Sequence, residues 1–287
     1  MDRSKFYAAL RGRSSGVFAT SLTTSQVANL GAILDEIQLA GLPLRQAAYV
    51  LATPYHEVGS GMAPKVENLT YSSAERIRAV WPKRFPRLGD ALPFVRNPQG
   101  LANTVYGGRM GNVGPNDGWT YRGRGYPQTT GRDNYQRFGK LLGLDLPGNP
   151  DLALQPAISA RILILGMKDG LFTGKKLADY ISGDKADYRS ARAIINPDVE
   201  ANGDAVAGYA RAFEAALRAA DYLGVAPQPR PTILVEDAEI PGAEPMVVLR
   251  PAPTKPEPIP AEPARGFRFF LQLIARALAA LFSRKDH

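Results

Sequence analysis

Cysteine is absent from the 287 residues, and histidine occurs only twice, as His56 and His287. No disulfide, thiolate metal site or cysteine nucleophile can therefore form. A Ser-His-Asp triad would have to use His56, and a multi-histidine zinc site lacks ligands. Redox and zinc chemistry fall away, and no cofactor is expected. Acidic residues are also in short supply, with 27 Asp and Glu against 35 Lys and Arg, a net charge of +8 and a pI near 9.7. Such a surface suits a polyanion: nucleic acid, an anionic membrane or an acidic cell-wall polymer. No long apolar run follows Met1-Asp2-Arg3-Ser4-Lys5, so the N-terminus does not read as a signal peptide. What is present, 45% hydrophobic and 22% charged residues, is the balance of a globular chain. Its length allows one large domain or two modest ones with a self-sufficient core.

Proline divides the chain. Residues 226–264 hold 11 of the 24 prolines and a net charge of −3, the composition of an extended, semi-rigid linker. The tail 265–287 is +4 and residues 1–225 are +7. The expected organisation is one domain over 1–225, a Pro-rich linker over 226–264 and a tail helix over 265–287. Within the domain, periodicity predicts helices over Ser25–Ala40 with Ser25 as N-cap, Leu44–Glu57, Pro156–Lys168, Ala186–Ile195 and Asp204–Leu223. Residues 107–131 contain eight glycines among Tyr and Trp, which predicts hairpin and loop. The fold class is mainly α with a small β-ribbon.

Tyr55-His56-Glu57 closes an otherwise apolar helix, and burial raises a carboxyl pKa as a general acid requires. A solvated helix-end Glu is the plain alternative. Zinc chemistry of the HExxH kind fails, because Ser60 stands where the second His belongs. Glu67 is the next carboxylate. On one continuous helix it would lie roughly 15 Å from Glu57, but Gly59, Gly61 and Pro64 break the helix and let the chain turn back. Two carboxylates across a cleft, about 6.5–9.5 Å apart, leave room for water as in an inverting glycosidase. An ordinary loop Glu is the alternative here. Further on, the run from Ala102 to Tyr135 mixes glycine, aromatic faces and neutral hydrogen-bonders such as Gln128 and Thr130. That mixture serves sugars, and equally serves single-stranded nucleic acid.

Tyr55-His56-Glu57, Tyr106-Gly107-Gly108-Arg109-Met110-Gly111-Asn112, Tyr121-Arg122-Gly123-Arg124-Gly125, Gln128-Thr129-Thr130-Gly131-Arg132 and Asn134-Tyr135 stand in order along the chain. Together they resemble glycoside hydrolase family 19, in its phage endolysin branch, similar to family 19 chitinases. Asn149-Pro150-Asp151-Leu152-Ala153-Leu154 and the segment from Arg192 to Asn196 extend the resemblance over residues 1–225. It implies a lysozyme-like, two-lobed, α-rich domain cutting β-1,4 bonds beside N-acetylated amino sugars. By position it implies Glu57 as general acid, Glu67 as general base and Thr130 as a positioner of the attacking water. His56, Tyr106, Arg124, Gln128 and Asn196 fall at substrate-cleft positions. Three departures stand out: Pro54 inside the acid's helix, Ile195-Asn196-Pro197-Asp198 in place of an Ile-Asn-Gly-Gly-type turn, and Glu75 as a second candidate base.

In the tail, Phe267–Phe282 is apolar except for Arg268, Gln272 and Arg276, four apart. At about 24 Å it falls short of a bilayer core of roughly 30 Å, so it predicts an interfacial amphipathic helix, or one packed on the domain or on another copy. The reading that follows is an endolysin-type peptidoglycan hydrolase, muramidase-like and monomeric. It waits in the host cytoplasm, then acts in the periplasm and wall, with tail contact to anionic membrane or lipopolysaccharide. A chitinase is the second reading, and a non-catalytic wall-binding or membrane-perturbing protein the third. Nucleic acid is not an expected partner.

Overall fold

The computed structural model describes residues 1–224 and 226–228; the expected linker and tail helix lie outside them, apart from residues 226–228. Eleven helices are found among the described residues. They are α1 (Arg3–Leu10), α2 (Thr24–Leu39), α3 (Leu44–Val58), α4 (Ala74–Val80), α5 (Leu88–Ala91), α6 (Pro98–Tyr106), α7 (Asp117–Thr120), α8 (Arg132–Leu142), α9 (Pro156–Asp169), α10 (Leu177–Tyr180) and α11 (Val199–Ala219). Two strands, β1 (Ile181–Ser182) and β2 (Lys185–Ala186), pair antiparallel with Ile181 opposite Ala186.

Local chemistry sets the ends of these elements. Thr23, not Ser25, caps α2: its hydroxyl accepts from the Gln26 amide at 3.2 Å while the Gln26 side chain accepts from the Thr23 amide at 2.7 Å. The cap contributes about 1 kcal/mol. The stripe Leu30, Ile33, Leu34 and Ile37, all fully buried, contributes roughly 1.5–3 kcal/mol per residue, so packing decides where α2 docks and the cap only where it starts. Helix α3 is buried from Ala47 through Pro54, as befits a helix with neighbours on every side. Pro54 is accommodated within it, and Gly59, at φ +87°, ends it.

The apolar residues form two clusters, and hence two lobes. In the larger, α11 lies along α3, α1 packs on α11, and α2 packs on α9. A buried ion pair, Arg161 Nε to Glu36 Oε1 at 2.8 Å, joins α2 to α9. The smaller lobe gathers Leu69, Ile77, Trp81, Phe85, Leu101 and Tyr106 around α4, α5 and α6. Between the lobes runs a narrow seam in which Val66 bridges Arg124 and Arg124 bridges Thr129, both antiparallel.

Three expectations need correction. The glycine-rich segment forms the single-turn α7, loops and that two-bridge seam; the two-stranded ribbon lies at residues 181–186 instead. Residues 186–195 are not one α-helix, because the Asp187 carboxylate accepts from the Ser190 amide at 3.0 Å and starts a short 3-10 turn, Ser190–Ile194. Helix α11 begins five residues earlier than periodicity placed it. Its N-cap, Asp198, makes no capping bond with its side chain.

Candidate active site

Glu57 sits in the last turn of α3, only 7% exposed. The sequence led us to expect a carboxylate among apolar neighbours; the structure instead gives it a guanidinium. Arg192, 1% exposed, comes from the 3-10 turn and donates through Nη1 to Glu57 Oε1. Its Nε and Nη2 grip the two oxygens of Asp198 at 2.7 and 3.2 Å, and Asn202 adds a bond to Asp198 at 2.6 Å. Burial opposes the charge on Arg192, but Glu57 and Asp198 on either side hold it firmly protonated. Because Asp198 also neutralises it, Arg192 keeps a partner even when Glu57 carries a proton.

Glu67 belongs to the seam. Its amide donates to the Gly123 carbonyl at 2.8 Å. Its carboxylate accepts from the Tyr106 hydroxyl at 2.6 Å and from the Gly123 amide at 3.2 Å. Desolvation pushes the Glu67 pKa up, against the opposing pull of Tyr106, Gly123 and the nearby Arg122 charge. A base so raised is better matched to working pH than an ordinary glutamate. A Cβ on Gly123 would press on the site, lying 3.0 Å from the Gln128 amide oxygen and 3.3 Å from Glu67 Oε2.

Lys65 links the end of α3 to the seam. Two residues before Glu67, it donates Nζ to the carbonyl of Val58, next to Glu57, at 3.2 Å. Burial draws its pKa down while the Glu57 charge acts the other way. Its own carbonyl accepts from the Gln128 side chain at 3.0 Å.

The remaining expected residues fall into different roles. Gln128, at φ +51°, also donates to the Gly125 carbonyl at 2.8 Å and lies beside Glu67. Thr130 is 0% exposed and donates its hydroxyl proton to the Gln128 carbonyl at 3.0 Å. Tyr106 is buried and turned onto Glu67 rather than toward a sugar. Arg124 is buried too, committed to Asp151 at 2.7 Å, the Thr120 and Arg122 carbonyls and the Tyr135 hydroxyl, so it pins the loop. Asn196 is buried under the turn that carries Arg192. His56 is half-buried near Tyr209, with a ring separation of 6.4 Å. Burial lowers its pKa, leaving a neutral imidazole near neutrality. Glu75 is exposed in the first turn of α4 and bonds to neither carboxylate. Arg192, Asp198 and Lys65 were not assigned roles from sequence. The one available signal was a lone arginine in the apolar run Ala191–Ile195, since a charge there needs a buried partner.

Among the described residues no group of His, Cys, Asp and Glu is arranged to hold a metal ion. The site therefore offers carboxylate chemistry: one carboxyl beside a guanidinium, one raised in pKa beside a tyrosine hydroxyl, in a two-lobed helical domain. That is the equipment of a glycoside hydrolase. No protein-family model matches the chain. A Haemophilus influenzae protein named as glycosyl hydrolase family 19 domain-containing is 40% identical over 135 residues, 44% of this chain and 66% of its own length. Chitinase 8 of Oryza sativa subsp. japonica is 58% identical over 38 residues, 13% of this chain and 15% of that protein. The solved chitinase C of Streptomyces griseus HUT6037 aligns over 79% of both chains with a TM-score of 0.44 and 16% identity. The chain thus spans just under two-thirds of its Haemophilus relative and a small part of the rice one. Over the 135 matched residues it is similar to a protein named for a glycosyl hydrolase family 19 domain.

Proposed function

We propose that the chain hydrolyses the β-1,4 glycosidic bonds of peptidoglycan by single displacement with inversion. Glu57 protonates the leaving oxygen, and Glu67 deprotonates a water that attacks the opposite face of the sugar. The observation that carries this reading is the separate holding of the two carboxylates on either side of the Gly59–Pro64 break. When Glu57 donates its proton, the new carboxylate forms beside Arg192 and is stabilised as it appears. Thr130 acts in this scheme through Gln128, holding it at its left-handed backbone angle. The net positive charge of residues 1–225 favours an acidic wall over neutral chitin. An endolysin-type role follows: a monomer held in the host cytoplasm that acts on the wall at lysis, with residues 265–287 touching anionic lipid or lipopolysaccharide. The rice chitinase match favours chitin as the second reading.

The test is purified Gram-negative peptidoglycan digested by the parent chain and by Glu57→Gln, with products read by mass spectrometry. Muropeptides with new reducing ends from the parent alone are expected. Chitin oligomers cut while peptidoglycan stays whole would promote the second reading. Within the mechanism, Glu57→Gln should recover much of its rate on an aryl glycoside whose leaving group needs no proton, whereas Glu67→Gln should not.

A further inference from the structure

The positive charge is not spread evenly. Residues 69–110, which build the smaller lobe, hold seven Lys and Arg against two Asp and Glu. Less than a fifth of the domain thus supplies +5 of its +7. Arg78, Lys83, Arg84, Arg87 and Arg96 are all exposed. Arg78 and Arg84 are held by carbonyls, which orient them without cancelling their charge. Arg78 donates to the Pro86 carbonyl at 3.2 Å and Arg84 to the Thr104 carbonyl at 2.6 Å; Arg87 meets Asp90 only at 3.5 Å on an open surface. A backbone carbonyl orients a guanidinium while leaving its full charge available to another anion.

These bonds also order the cations in space. Pro86 sets Arg78 beside Arg87, and Thr104, on α6, sets Arg84 near Arg109, whose pKa is lowered by burial and by the Arg84 charge. Arg109 donates to the Val105 carbonyl at 3.3 Å, next to Tyr106, which holds Glu67. The smaller lobe thus carries two pairs of cations, Arg84 with Arg109 beside the Tyr106–Glu67 contact and Arg78 with Arg87, with Arg96 exposed on the same lobe; together they make up its basic track. A neutral sugar polymer has no use for such a track.

We infer that this track binds carboxylates carried on the substrate, those of the peptide stems on a wall glycan, and so guides an anionic strand into the cleft. The inference rests on the peptidoglycan reading above and names the feature of that substrate which the protein recognises. Binding through it is screened by salt, acts on capture rather than on bond cleavage, and leaves neutral oligosaccharides untouched.

The test measures co-sedimentation with purified sacculi in the full chain carrying Glu57→Gln, so that the polymer is not consumed. A triple variant, Arg78→Gln with Arg87→Gln and Arg96→Gln, is compared with its unaltered background and with the matching Lys triple. The Gln triple should bind roughly five- to tenfold more weakly at low salt, since exposed charges contribute a few tenths to 1 kcal/mol each. The Lys triple should bind like the background. Amidating the sacculus carboxylates should abolish the difference, and chitin should bind all three alike. Equal loss on chitin, or binding that survives amidation, would overturn the inference. So would loss on phosphatidylglycerol vesicles with sacculus binding unchanged, which would point to lipid. Cleavage by the chain without Glu57→Gln is scored separately: sacculi bound through the track but never cut would sink the hydrolase reading and leave the track standing.

Discussion

At the residue scale the site is a set of charges whose partners lie far off in sequence. Tyr106 is the clearest handle. Its hydroxyl favours the ionised Glu67 and so offsets part of the rise that desolvation causes. Removing it in Tyr106→Phe should raise the Glu67 pKa further. A base must be deprotonated, so activity is lost as pH falls through that pKa, and the acidic limb of the kcat/KM profile should move to higher pH with the neutral plateau largely kept. An unmoved limb would mean that another group sets it. Glu57 stood out in the sequence because it closes the short motif Tyr55-His56-Glu57, whereas Glu67 was read only from its place after the Gly59–Pro64 break. The grip of Arg192 on Glu57 was not, because the two lie 135 positions apart and only the packing of α11 on α3 brings them together. For the same reason Thr130, Tyr106 and Arg124 read as cleft residues: sequence gives their proximity to the site but not whether they point in or out.

At the element scale, periodicity located the long apolar helices α2, α3 and α9, placed α11 late, and gave no sign of shorter ones such as α1, α6 and α8. Helices α2, α3 and α9 carry long apolar patterns, and their expected bounds differ from the observed ones by a residue or so. The 186–195 stretch had an apolar pattern as well, but Asp187 starts a turn inside it, and Pro197 disfavours helix just before it. Glycine content alone could not separate hairpin from loop in residues 107–131. Outside the site, Arg161 with Glu36 is a buried ion pair that ties α2 to α9. Glu36→Leu should destabilise the domain by about 3–5 kcal/mol in urea unfolding, because it strands a buried guanidinium. Adding Arg161→Met should recover most of that loss. Failure of the double variant to recover would show that the pair also holds a geometry that apolar packing cannot supply.

At the scale of the whole molecule, the domain boundary predicted near residue 225 can be tested directly. The Tyr222 hydroxyl donates to the Leu42 carbonyl at 2.7 Å and the Gln228 amide to the Leu39 carbonyl at 3.1 Å, so the chain is still anchored to the larger lobe at Gln228. A chain ending at Gln228 should hydrolyse purified wall at close to the full rate and unfold at the same urea concentration. Loss of all activity would mean that the proline-rich segment or the tail completes the fold. The concentration of positive charge in residues 69–110 is already present in the sequence; what the fold adds is that this stretch builds one lobe, the smaller one.

Asp198 stands where α11 begins, yet its carboxylate faces Arg192 and leaves the first amides of that helix without a side-chain cap. Helix α11 thus starts without a side-chain cap, as α3 and α9 also do, but here a residue able to cap is committed instead to the charge pair beside Glu57. Fraying of its first turn would release Arg192 and the acid together. Under the mechanism proposed above, the Glu57 proton and the start of the longest described helix depend on one residue, so heating is expected to lower activity at a temperature below that at which the larger lobe unfolds.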